Sequence, residues 1–236
     1  PIDLIRSFNA LNTDKPSGIP LELLKNNNIQ YKNINFELYD QSATKGLCAV
    51  VVGTEGNSKI PLPPISKSIS INQDVTSLIF LHCCAHPSTN IYGHNKIHSY
   101  ADTSDLLGWY KVVYDDGFVI NVPIRYGVNI REWHLWGINP QTGKIDECLV
   151  EPFCNGVGTY CYEGDLINCS NRSDKEFNFF AYEWRNSRFG TGIKDVYLEG
   201  SRHFIDYSGT EINNNAIALV ALSYVERRPI ERVSAK

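Results

Sequence analysis

The chain has 236 residues and contains no methionine; it opens on Pro1. Translation starts with methionine, so a processed product or one piece of a longer polypeptide is expected. An excess of basic charge is also missing: 22 Lys and Arg stand against 26 Asp and Glu, a net charge of −4. Such a chain has no global attraction to phosphate backbones, so nucleic acid is not expected as its main partner. No apolar run approaches the roughly 20 residues of a membrane-spanning helix, so no membrane span is expected. Helical patterning is scarce, with residues 19–24 reading as a single turn. Without strand–helix–strand alternation a parallel α/β sheet is not expected. There is no G-x-S-x-G elbow, no phosphate-binding glycine loop and no C-x2-4-C zinc knuckle.

What remains is strand and turn. The 42% hydrophobic content is enough to build a large core, which excludes bulk disorder. Residues 34–39 and 66–71 alternate apolar and polar positions. Residues 47–52 and 76–83 are apolar runs, and 216–224 has no polar face until Ser223. The last run reads as a strand buried on both sides. Residues 109–114 and 118–124 flank Asp115-Asp116-Gly117, and Asp-Gly between β-rich runs is a strong hairpin signal. With 177–184 the set makes eight strand-like segments separated by Pro, Gly and Asn turns. The expected fold is all-β: an antiparallel β-sandwich or jelly roll spanning residues 1–236 as one domain. Residues 226–236 read as an exposed tail, and 137–174 as a long cysteine-rich loop insertion without alternation.

The chain holds 7 cysteines. Cys148, Cys154, Cys161 and Cys169 fall within the insertion, beside the sequons Asn168-Cys169-Ser170 and Asn171-Arg172-Ser173. Stapled loops and sequons together point to a secreted or cell-surface protein, with these four cysteines as disulfide candidates.

The order of short blocks is familiar. Thr13-Asp14-Lys15-Pro16 precedes Gly18-Ile19-Pro20, then Ala49-Val50-Val51-Val52-Gly53 and Leu78-Ile79-Phe80-Leu81-His82. Tyr110-Lys111-Val112-Val113-Tyr114-Asp115-Asp116-Gly117 leads to Val122-Pro123-Ile124-Arg125-Tyr126-Gly127 and Trp133. Ala181-Tyr182-Glu183-Trp184-Arg185-Asn186 and Ile193-Lys194-Asp195-Val196 follow. The series resembles the β-sandwich, galactose-binding-like accessory domains associated with bacterial polysaccharide-degrading enzymes. The resemblance implies a sandwich fold and an association with glycans, and brings no catalytic set with it. The Cys148–Cys169 insertion departs from the family pattern.

Several side chains carry candidate chemistry. His82-x3-His86 and His94-x3-His98 have a spacing used by zinc ligands. Off a helix, however, such histidines do not share a face, and no resident metal or other cofactor is expected. Loop carboxylates with backbone carbonyls could still hold a structural Ca²⁺. Asp102, Asp105, Glu147, Glu151, Glu163 and Asp165 are the carboxylates from which a glycoside hydrolase or lyase would draw an acid and a base. Cys83 and Cys84 precede His86, but buried structural thiols are commoner than nucleophiles. Trp109, Trp133 and Trp184 read as core. Trp136 is read as closing a strand where Gly137 releases the chain, so it is expected to face solvent and stack on a sugar ring. His134, Arg131, His94 and Asp102 are expected to gather around it on loops at one end of the sandwich. The leading reading is therefore a non-catalytic carbohydrate-binding or accessory domain, with carbohydrate and other domains of a longer polypeptide as expected partners. A structural interaction module of a larger assembly is the other non-enzymatic reading.

Overall fold

The computed structural model describes residues 2, 4, 7–11, 18–21, 28–38, 45–53, 62–85, 106–133, 136–138, 145–147, 161, 163–168, 177–201 and 215–227. Its strands in chain order begin with β1 Ala10–Leu11, β2 Asn28–Tyr31, β3 Ile34–Glu37, β4 Leu47–Gly53 and β5 Ile69–Gln73. They continue with β6 Val75–Cys84, β7 Leu106–Tyr114, β8 Val119–Arg125, β9 Trp136–Ile138 and β10 Ile145–Glu147. The last are β11 Gly164–Asn168, β12 Asn178–Arg185, β13 Ile193–Gly200 and β14 Ala216–Glu226. Among the described residues there is no α-helix, and every pairing between named strands is antiparallel. The expected all-β sandwich is what the chain forms.

Two sheets make the sandwich. One has six strands in the order β1-β4-β14-β6-β12-β11, the other four in the order β5-β13-β7-β8. The core between them includes Val50, Leu78, Phe80 and Leu219 from the first sheet, and Tyr110, Val112, Ile124, Val196 and Leu198 from the second. Each such side chain, taken fully out of water, contributes on the order of 1.5–3 kcal/mol before conformational entropy is set against it.

The six-stranded sheet is covered on its other face as well. Val51, Ile79, Leu81, Phe179 and Ala218 pack there against Ile19, Leu21, Ile29, Tyr31 and Phe36. Most of the covering side chains belong to the β2–β3 hairpin. This second layer explains why β6 and β14 read as apolar runs rather than alternating ones. In β14 a register shift between Leu219 and Ala221 inserts one residue. Leu219 and Leu222 therefore both face the sandwich interior, while Val220 and Ala221 pack under the cover.

The hairpin expected at residues 115–117 is present, but not as the two-residue Asp-Gly turn, whose two positions both need positive φ. Tyr114 N–H donates to the Phe118 carbonyl at 2.9 Å, and Gly117 N–H donates to the Tyr114 carbonyl at 2.9 Å. The loop thus has three residues, and only Gly117, with φ of 83°, takes the left-handed conformation. That is a turn closed by a glycine bulge, in which one position rather than two requires positive φ.

The insertion is not a bare loop. β9 pairs with β10, and β11 pairs with β12 to close one edge of the six-stranded sheet. Leu166 on β11 packs against Phe180 and Cys161, which accounts for its place on the sheet. Gly137, read from sequence as releasing the chain, pairs with Asp146 inside the β9–β10 ladder, so Trp136 begins a strand instead of ending one.

Candidate functional site

The described residues of the sandwich form two ends and one sheet face with no second layer over it. One end is formed where β6 finishes and β7, β12 and β14 begin. Residues 126–133 close it, and they include Arg131, one of the five residues read from sequence as a ligand site. Arg131 is buried, with its Nη2 3.1 Å from Glu132 Oε1. Tyr126 donates its hydroxyl to the same carboxylate, and the Arg131 guanidinium lies 5.7 Å from the Tyr126 ring centre. Burial opposes the charge on Arg131, but Tyr126 and Glu132 outweigh it and hold the guanidinium protonated. A buried, charge-matched cluster of this kind fixes the closing segment in place; its guanidinium faces Glu132, away from solvent. Trp136 lies on β9 opposite Glu147. His134, His94 and Asp102 lie outside the described residues, and so do Cys148, Cys154 and Cys169.

The cysteines and histidine at this end are held in unreactive forms. Cys161 is buried and carries a free thiol, and burial raises its pKa. Burial, then the Glu132 charge, pushes the Cys84 thiol well up, so it is no nucleophile at neutral pH. His82 is fully buried, with Nε2 2.8 Å from the Asn129 carbonyl and Nδ1 2.7 Å from the Tyr110 hydroxyl. A carbonyl can only accept, so Nε2 carries the proton and Nδ1 accepts from Tyr110. Burial lowers the His82 pKa to about 4. Both ring nitrogens are engaged, which leaves none for zinc. Among the described residues no group of three or more His, Cys, Asp or Glu is placed to hold a metal ion.

The opposite end gathers the β7–β8 hairpin, the β12–β13 turn and the end of β14. The buried Asn186 side chain organises it. Asn186 Oδ1 accepts from the Tyr114 hydroxyl at 2.6 Å and from Arg188 N–H at 2.9 Å, and Nδ2 donates to the Val75 carbonyl. Arg188 grips Asp116 with both terminal nitrogens, at 3.2 and 2.7 Å, and its guanidinium lies 4.3 Å from the Phe118 ring centre. Phe118 is 51% exposed and Phe189 is 66% exposed. Arg227 sits 5.6 Å from the Phe189 ring centre and pairs with Asp74 at 3.1 Å.

Among the described residues, none packs over the outer face of the four-stranded sheet. Tyr110, Val112 and Tyr114 point into the sandwich, so Trp109, Lys111 and Val113 point out of it. Registers place Tyr197 opposite Lys111 and Lys111 opposite Asn121. They place Glu199 opposite Trp109 and Trp109 opposite Pro123. The next row sets Asp195 opposite Val113 and Val113 opposite Val119. Lys111 reaches diagonally to Glu199, 3.3 Å away, with both side chains about a third exposed. Asp195 accepts from Ser68 at 2.5 Å and from Ser70 at 3.1 Å. Trp109 and Tyr197 are only half-buried. Trp109 is therefore not core, contrary to its expected place, whereas Trp133 and Trp184 do pack against the two cores. The signal was available: Lys111 has the same strand parity as Trp109, and a lysine does not face a core. Tyr197 carries no such signal, because the bulge between Ile193 and Asp195 breaks the alternation that marks a strand.

No family model matches the chain, and neither a curated protein nor a solved structure does.

Proposed function

We propose that the chain is a non-catalytic carbohydrate-binding or accessory module, secreted or displayed at a cell surface, acting beside other domains of a longer polypeptide. One observation carries the reading: the two outer sheet faces differ. The six-stranded sheet is sealed by a second apolar layer, while the four-stranded sheet leaves half-buried Trp109 and Tyr197 outward among charged and amide side chains. Sugar rings present one C–H face that packs on aromatic rings and an edge of hydroxyls that needs polar partners. A glycan array run on the whole chain, with hydrolysis assays in parallel, tests it. Binding without turnover is expected. Turnover of a bound glycan would replace the module with a glycoside hydrolase.

A second reading rests on the turn end. Phe118 and Phe189 are both exposed at this end, with Arg188 and Arg227 beside their rings, an aromatic and cationic pairing that suits a protein partner. If no glycan binds, that end favours an interaction module of a larger assembly, tested by whether Phe189→Ser abolishes association with the parent polypeptide.

A further inference from the structure

We propose that the outer face of the β5-β13-β7-β8 sheet binds at least two consecutive units of a neutral polysaccharide, which stack on Trp109 and Tyr197. The inference rests on the carbohydrate reading above and adds to it the place, the charge class and the minimum ligand length.

The place follows from register. Trp109 and Tyr197 lie on adjacent strands at diagonal positions, since Tyr197 faces Lys111 and Glu199 faces Trp109. Diagonal neighbours on one sheet face are about 7–8 Å apart at Cα. One sugar ring does not cover both aromatics, so both engage only when two or more linked units lie across the strands. The sheet itself holds the platform rigid. Neither ring is carried on a loop: Trp109 is paired on both sides, and Tyr197 is paired with Lys111 while its neighbour Val196 pairs with Ile69 on the other side.

The charge class follows from pairing. Lys111 and Glu199 neutralise each other at 3.3 Å, and Asp195 is bonded by Ser68 and Ser70. An acidic polysaccharide would meet Glu199 and Asp195, and a basic ligand would meet Lys111. A neutral one meets no like charge there, and Asp195 already has two hydroxyl donors. The ion pair also holds an ammonium and a carboxylate flat on the surface beside Tyr197 and Trp109. An ammonium has three donors and a carboxylate about four acceptor sites, so both keep capacity for hydroxyls after pairing. The exposed Asn121 amide supplies a donor and an acceptor on the far side of Lys111.

The test is affinity electrophoresis and titration calorimetry of the whole chain against soluble neutral and acidic polysaccharides, with matching mono-, di- and tetrasaccharides. The parent is expected to bind a neutral polysaccharide, and its tetrasaccharide far better than the monosaccharide. Binding should change little between low and high salt. Trp109→Ala and Tyr197→Ala should each lose roughly tenfold to a hundredfold in affinity. Should either alanine variant fail to fold, Asn121→Arg decides, because it places a bulky charge at an exposed position and should abolish binding. Folded variants that bind as the parent does, while the parent binds, overturn the site and leave the carbohydrate reading standing. Equal affinity for mono- and tetrasaccharide overturns the two-unit ligand. Salt-sensitive binding to acidic polysaccharides alone overturns the charge class. A parent that binds no glycan overturns the carbohydrate reading, and this site with it.

Discussion

At the scale of single residues, burial decides which titratable groups matter. His82 is held neutral, with its pKa lowered to about 4 by burial, against about 6.5 when unfolded. Between these values the unfolded chain binds the extra proton. The stabilisation tied to the neutral ring is therefore fully present above pH 6.5, lost as pH falls toward 4, and absent below it. The shift corresponds to about 3 kcal/mol across that window. Urea unfolding of the parent and of His82→Gln at several pH values checks it: the difference between the two should shrink steadily from pH 7 to pH 4. A constant difference would mean that the ring is not kept neutral. Arg131 supplies a second case. Removing it leaves Glu132 buried without its cation, so Arg131→Ala should cost about 3–5 kcal/mol. A loss below about 1 kcal/mol, read from denaturant midpoints, would place the pair in water.

Elements show where glycine is required and how much of the fold can be read in advance. Gly117 has φ of 83°, and a Cβ there would meet nothing within 4 Å. Gly117→Ala should cost only the left-handed backbone penalty, about 1 kcal/mol. A Cβ on Gly108 would lie 2.2 Å from the Glu199 carbonyl oxygen, a backbone atom of β13 that cannot swing aside. Gly108→Ala should cost about 3 kcal/mol by forcing β7 and β13 apart. Thermal unfolding of both variants tests the order, and a Gly117 variant worse than the Gly108 one would contradict it. The strands with unbroken apolar or alternating patterns, β4, β6, β7, β8, β12 and β14, were legible to within a few residues. β13 was not, although it is central to its sheet. Its register shifts between Ile193 and Asp195, which puts two residues, Lys194 and Asp195, between the inward Ile193 and Val196. The bulge breaks the period-2 signal on which sequence reading depends. The platform was half legible for a related reason. A tryptophan inside a strand suggests core by its size, and only the parity it shares with Lys111 says otherwise.

For the whole molecule the governing fact is that one sheet serves two cores. β4, β6, β12 and β14 contribute alternate side chains to the sandwich interior and to the layer under the β2–β3 hairpin. The hairpin is also pinned by polar contacts, with the Tyr31 hydroxyl donating to Asp165 at 2.5 Å and Lys32 reaching Glu183 at 3.0 Å. Neither layer can lose its packing without exposing the sheet that the other needs. Unfolding is therefore expected as one cooperative transition, although a chain of this size can populate intermediates. The tryptophans are well placed to report it, because Trp133 packs against the cover layer and Trp184 against the sandwich core. Phe36→Ala, in the cover, and Leu198→Ala, in the sandwich, each empty a fully buried site. Each should lower stability by about 2–5 kcal/mol. Both should shift the same transition, with tryptophan fluorescence and far-ultraviolet circular dichroism moving together. If Phe36→Ala instead splits the curve, with an early fluorescence change and most strand signal retained, then the hairpin layer is a separable unit and the shared sheet does not couple the cores.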